Sequence, residues 1–223
     1  MQFSRELLDA FPGISVVEGV VRSVDNTGTN PDLESLKETV ARELQSRYTL
    51  EEVRDDPVFR AYRDFFWRVG VDPTKTRPAS EALVRRMLAG KSLPAISTAV
   101  DAYNLASASS GIPIAAFDAG LLEGDLVLRF AEGGEEFLGI GMDEPVVLKE
   151  NQVVMNDAKE IIAIYPYRDS DATKVTRSTK NIHIVSCGVP GIEEERIIGA
   201  YRTCARYLEE FTGGTDSGPR VFP

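Results

Sequence analysis

The chain has a single histidine, His183, and two cysteines, Cys187 and Cys204. Zinc sites need a set of nitrogen and sulfur ligands, and a Ser–His–Asp relay needs a histidine beside its nucleophile, so most zinc and triad schemes are excluded. The cysteines have no metal-binding or redox spacing, which leads us to expect free thiols in a reducing cytoplasm. No metal and no cofactor is implied. Also missing is any run near the roughly 18 apolar residues that cross a bilayer. Residues Met1 to Glu6 lack the charged and apolar regions of a secretory leader, so a soluble cytoplasmic protein is expected. Cations are scarce: 25 Lys and Arg face 35 Asp and Glu, a net charge of −10. Indiscriminate binding of nucleic acid rests on phosphate neutralisation, and this charge argues against it; DNA is not expected as a partner.

Two local basic clusters stand out against that background. Lys75, Arg77, Arg85, Arg86 and Lys91 form one, and Arg168, Lys174, Arg177 and Lys180 form the other. Composition alone favours solvated faces that balance nearby acids.

A chain of 223 residues with 43% hydrophobic composition can bury roughly 70% of its unfolded surface, enough for one substantial core. Val16 to Val24 reads as a strand. Asn30 then caps a helix with Pro31 in its first turn and Leu33, Leu36, Val40 and Leu44 on one stripe. Further helices are expected from Asp56-Pro57 through Trp67, from Ser80 to Ala89, from Ala95 to Ser109 ending near Gly111, and from Glu193 to Phe211. Strands are expected at 113–118, 125–130, 136–140 and 145–148, with Gly133-Gly134 suggesting antiparallel pairing of neighbours. The tail from Gly213 is expected to be loose. Helices come mainly first and strands mainly later, so the class is α+β, with no composition shift to mark a second domain.

The segment from Tyr167 to Asn181 carries acids, hydroxyls and cations between two β-branched strands, 161–165 and 182–185. Such chemistry is costly to bury, and the run has no Gly or Pro turn signal, so it is expected to face a pocket. A solvated surface loop is the alternative.

The pieces Val100-Asp101-Ala102-Tyr103-Asn104, Gly111 to Asp118 and Leu122 to Arg129, continuing through Gly134-Glu135, resemble the B3/B4 domain of the phenylalanyl-tRNA synthetase beta subunit. Asp72 to Leu83 and Arg168 to Thr179 resemble the free-standing proteins built around that domain. The resemblance covers about residues 57–185. It implies a three-layer fold, a β-sandwich of unusual topology flanked by helices, with the N-terminal strand and helix as an extension and 213–223 as a flexible tail of one domain spanning 1–223. It implies contact with tRNA, and a synthetase is a second possible partner. In the synthetase the domain hydrolyses mischarged tyrosyl ester. This chain has Ala115 where that pattern carries a histidine, and Asp169 falls near the acid that reads the tyrosine hydroxyl.

An aminoacyl-tRNA hydrolase acting in trans is therefore the first expectation. Arg168, Asp169, Thr173, Thr176 and Thr179 are its candidate catalytic residues, holding water and an oxyanion by positioning. Asn104, Ser80 and Glu81 are candidates for binding the substrate, and Lys75, Arg77 and Arg85 for the phosphates of the acceptor end. Each has a plainer reading. Ser80 and Glu81 suit a helix start, Asn104 and Asp118 suit pins between helix and sheet, Asp157 and Glu135 suit turns, and His183 suits a core or edge position. A non-catalytic tRNA or RNA module, or a pocket for a free amino acid or amine, are the alternative functions. No motif of an aminoacylating core is present.

Overall fold

Local signals in the first half of the chain place the helices, and remote contacts then fix their ends. The computed structural model describes residues 1–223. In chain order the elements are β1 (Gln2–Phe3), α1 (Arg5–Ala10), β2 (Val16–Arg22), α2 (Pro31–Arg47), α3 (Pro57–Arg68), α4 (Ala79–Leu88), α5 (Thr98–Ser110), β3 (Ile114–Asp118), β4 (Val127–Phe130), β5 (Glu136–Phe137), β6 (Val146–Val147), β7 (Val153–Asn156), β8 (Ile161–Ile164), β9 (Arg168–Asp169), β10 (Asn181–Cys187), α6 (Glu194–Thr212), β11 (Thr215–Asp216) and β12 (Arg220–Phe222). The α+β class holds.

Asn30 caps α2 by accepting the Asp32 and Leu33 amides at 3.0 and 3.3 Å. Asp56 caps α3 through the Val58 amide at 2.9 Å, and Val58, Phe59, Tyr62, Phe65 and Phe66 are buried along its stripe. Helix α5 begins at Thr98 rather than Ala95, because its first-turn donor is satisfied from elsewhere: Asn26 Oδ1 accepts the Ala99 amide at 2.8 Å. Gly111 ends α5 with φ 76°, in the left-handed region that glycine enters freely. Ser80 does not cap α4. The helix starts one residue earlier behind Pro78, and the Ser80 hydroxyl is buried without a partner.

One sheet has the order β1-β4-β7-β8-β9, with β1 and β4 parallel and the other pairs antiparallel. The second runs β3-β10-β2, with β11 and β12 both antiparallel to β2. Of the four strands expected between residues 113 and 148, only β5 and β6 pair with each other, and β3 and β4 lie in different sheets. The crossing is organised by carboxylates. Asp118 accepts the Gly120 amide, and Asp157 accepts those of Glu123, Lys159 and Glu160. Burial by itself raises the Asp157 carboxyl, yet these three donors hold it below its ordinary value. A continuous core of 52 buried residues joins helices and both sheets.

The tail expected to be loose is paired. Ser217 donates its amide to Val20 O at 3.0 Å and its hydroxyl accepts the Val20 amide at 3.0 Å. Tyr201 on α6 bonds Asp216, and Arg220 reaches Glu18 at 2.8 Å. The tail packs closely on β2: a Cβ on Gly19 of that strand would lie 1.9 Å from the Tyr201 hydroxyl and 2.7 Å from Gly218 O. No helix is long and apolar enough to cross a membrane.

Candidate functional site

Where β9 meets β3 beneath α5, the two sheets enclose a cavity of about 420 Å³, within the range of roughly 300–1,000 Å³ common for small-molecule sites. Tyr103 and Asn104 reach it from α5, Ala115 from β3, Arg168 and Asp169 from β9, and Cys187 from β10. Of the 20 lining residues 14 are hydrophobic, so any ionised group here loses hydration.

Asp169 is the central feature. Its Oδ2 accepts the Ala116 amide at 3.3 Å, and its backbone oxygen accepts the Ile140 amide at 2.9 Å. Burial pushes its carboxyl up to about 7, against the lowering pull of the Ala116 amide and the Arg168 charge. A group that titrates near neutrality can take or give a proton at working pH. The Tyr103 phenol is raised above its ordinary value by burial first, then by the Asp169 charge. Its hydroxyl and the Asn104 amide line the cavity with no hydrogen-bond partner from the chain. Burial also pushes the Cys187 thiol up, which makes it a poor nucleophile.

Arg168 is exposed and braces the wall by donating from Nη1 to Ile140 O at 2.9 Å. Lys174 lines the same cavity, with Nζ 2.6 Å from Asp171 Oδ1.

Arg168, Asp169 and Asn104 thus come together as expected from sequence, while the threonines do not. The Thr173 hydroxyl is buried without a partner and its carbonyl accepts the Asp118 amide at 2.9 Å. The Thr176 amide donates to Thr179 Oγ1 at 2.9 Å, and the Thr179 hydroxyl donates to Asp118 Oδ2 at 2.6 Å. All three lie outside the cavity lining and shape the loop between β9 and β10. The loop bridges β3 at Lys174 opposite Phe117, so Lys174 and Val175 meet the cavity while flanking residues turn away.

Glu81 and Ser80 are also outside the lining. Glu81 is fully buried between Arg63, at 2.9 Å, and Arg85, at 2.7 Å. Arg85 is consequently spoken for, with a further bond to Leu50 O at 3.0 Å. Lys75 and Arg77 are exposed and have no ion-pair partner, on the loop that leads to Ala79 in the cavity wall. His183 is held by Glu18, Nε2 to Oε2 at 2.9 Å, a satisfied sheet position. Tyr103 and Lys174 escaped the sequence reading as site residues. Tyr103 shares the Val100–Asn104 helical spacing of the core, and Lys174 sits in a charge run that suits a solvated face.

The B3/4 domain profile matches residues 61–213. The phenylalanine–tRNA ligase beta subunit of Neisseria gonorrhoeae is 26% identical over 132 residues, covering 59% of this chain and 16% of the relative. That of Leifsonia xyli subsp. xyli is 26% identical over 158 residues, covering 70% of this chain and 18% of the relative. The chain thus spans less than a fifth of the length of these curated relatives. Among solved structures, an N-terminal fragment of the phenylalanyl-tRNA synthetase beta subunit from Pyrococcus horikoshii is similar, with a TM-score of 0.53 and 15% identity, covering 100% of this chain and 53% of that one. That likeness shows the fold.

Proposed function

This chain belongs to the B3/4 domain family, and from that premise we propose that it takes the aminoacylated end of a tRNA into the Asp169 cavity and hydrolyses the ester. The observation that carries the reading is a carboxyl near neutrality, up to about 7, inside an apolar cavity with free polar groups beside it. Two relatives bearing tRNA ligase names supply the substrate class.

In this scheme the Asp169 carboxylate takes a proton from water as the water oxygen bonds to the ester carbonyl carbon. The carbonyl electron pair moves to oxygen, where the Asn104 amide and the Arg168 guanidinium supply donors. When the tetrahedral species collapses, the C–O bond to the ribose breaks and the departing oxygen receives the proton from Asp169. The products are a free amino acid and an uncharged tRNA. Lys75 and Arg77 meet phosphates of the acceptor end as positioning charges. The protein acts in trans, on esters that a synthetase has already released.

Single-turnover deacylation of a panel of charged and mischarged tRNAs, beginning with tyrosyl-tRNA(Phe), tests the reading with wild type, Asp169→Asn and Arg168→Ala. Loss of hydrolysis in Asp169→Asn supports it. Intact esters throughout at stoichiometric protein would sink it. The unpaired Lys75 and Arg77 favour one second reading, a tRNA-binding module without chemistry, in which affinity falls steeply with salt while the ester survives.

A further inference from the structure

Two large aliphatic side chains in the cavity lining remain open to solvent: Ile96 is 53% exposed and Ile140 is 39% exposed. Single exposed aliphatics are ordinary on protein surfaces. These two differ because both border one cavity and both have anchored backbones. The Ile96 amide donates to Asp101 Oδ1 at 2.9 Å, and the other oxygen of Asp101 is held by Lys37 Nζ at 2.7 Å in a buried pair. Ile140 is fastened on its N–H side to Asp169 O and on its C=O side to Arg168 Nη1, each at 2.9 Å. Anchored apolar side chains at the solvent-open side of the cavity suit a flat, weakly hydrated ring.

We infer that Ile96 and Ile140 form the seat for the terminal adenine base of the charged tRNA. The inference rests on the aminoacyl-ester reading and adds a subsite to it. If the ester carbonyl lies beside Asp169, the ribose occupies the opening, and the base attached to that ribose meets the two isoleucines. A nucleobase offers a flat face to apolar side chains irrespective of its hydrogen-bonding edge. The next phosphate then points outward, toward the loop that carries Lys75 and Arg77.

Steady-state hydrolysis of two minimal substrates tests this: the 3′-aminoacyl ester of adenosine and the ethyl ester of the same amino acid. Binding of the stable 3′-aminoacylamino-3′-deoxyadenosine, followed by calorimetry, gives a readout independent of turnover. Wild type is expected to prefer the adenosine ester by roughly tenfold or more in kcat/KM, chiefly through KM. Ile96→Ala and Ile140→Ala should collapse that preference and weaken the stable amide by a comparable factor, with unchanged thermal midpoints as the folding control. Retained preference in both variants overturns the seat while leaving the hydrolase intact. Hydrolysis of both esters at equal efficiency by wild type does the same. If wild type neither cleaves the esters nor binds the amide, the hydrolase reading and the seat fall together.

Discussion

Thr179 donates its hydroxyl to Oδ2 of Asp118 at 2.6 Å, across 61 residues of chain. The bond makes the hydroxyl-rich loop a brace between β3 and β10. Hydrogen bonds to charged groups are worth about 1.5–3 kcal/mol. Thr179→Val is expected to lower stability by about that amount in urea unfolding, while the folded protein keeps its deacylation rate. A rate lost without loss of stability would return Thr179 to the catalytic set.

Asp169 predicts how activity depends on pH. With its carboxyl at about 7 in the folded state, deacylation should rise with pH around neutrality and level off once the group is ionised. Asp169→Asn should remove the rise together with most of the rate. A flat profile in wild type would exclude this carboxylate as the base.

The same residue makes a separate prediction for stability. Its carboxyl has an ordinary value of 3.8 and titrates near 7 when folded, so between those pH values the folded chain holds a proton that the unfolded chain has lost. The stabilisation is complete below the lower value and is lost as pH rises through the upper one. Glu18 and Asp157 are held below their ordinary values and act in the opposite sense, at more acid pH. Chemical unfolding at pH 5 and 8 should therefore show Asp169→Asn gaining on wild type at the higher pH. Parallel curves would refute the shift.

Glu81 is buried between two guanidinium groups, with Arg63 and Arg85 about one-fifth exposed, at 19% and 21%. Removing one member of a buried ion group costs about 3–5 kcal/mol, and the partial exposure of the arginines puts the cost toward the lower end. Glu81→Ala should show that loss as a lower denaturation midpoint, and Glu81→Gln a smaller one. If either variant changed substrate affinity at unchanged stability, Glu81 would be a binding residue after all.

Gly19 lies where the tail crosses β2. A methyl group there would meet the Tyr201 hydroxyl at 1.9 Å and backbone oxygen of Gly218 at 2.7 Å, and overpacking of this kind costs about 1–3 kcal/mol. Gly19→Ala is expected to expose residues 213–223 to limited proteolysis. Protection equal to wild type would mean that the tail accommodates the methyl by a shift along β2.

Caps and stripes carried most of the helical part in the sequence. Asn30, Asp56 and Gly111 act within a few residues of themselves, so their roles are visible locally. Asp169 and Arg168 were recoverable too, because charge between β-branched strands is conspicuous. What could not be read was which residues of the loop after β9 meet the cavity, since that depends on a bridge to β3. The pairing of the tail with β2 was hidden for a similar reason. Its glycines and polar residues look unstructured until α6 delivers Tyr201 beside them. Ile96 and Ile140 are ordinary aliphatics in sequence, and only their common cavity distinguishes them.

Asn26 connects segments that the chain order keeps far apart. Its Oδ1 takes the Ala99 amide 73 residues away, and its Nδ2 gives to Thr176 O, 150 residues away, at 2.7 Å. Closing loops of that length is paid in chain entropy before either bond is formed, and such non-local contacts slow folding. One side chain therefore ties the first turn of α5, the helix that presents Tyr103 and Asn104, to the loop ahead of β10.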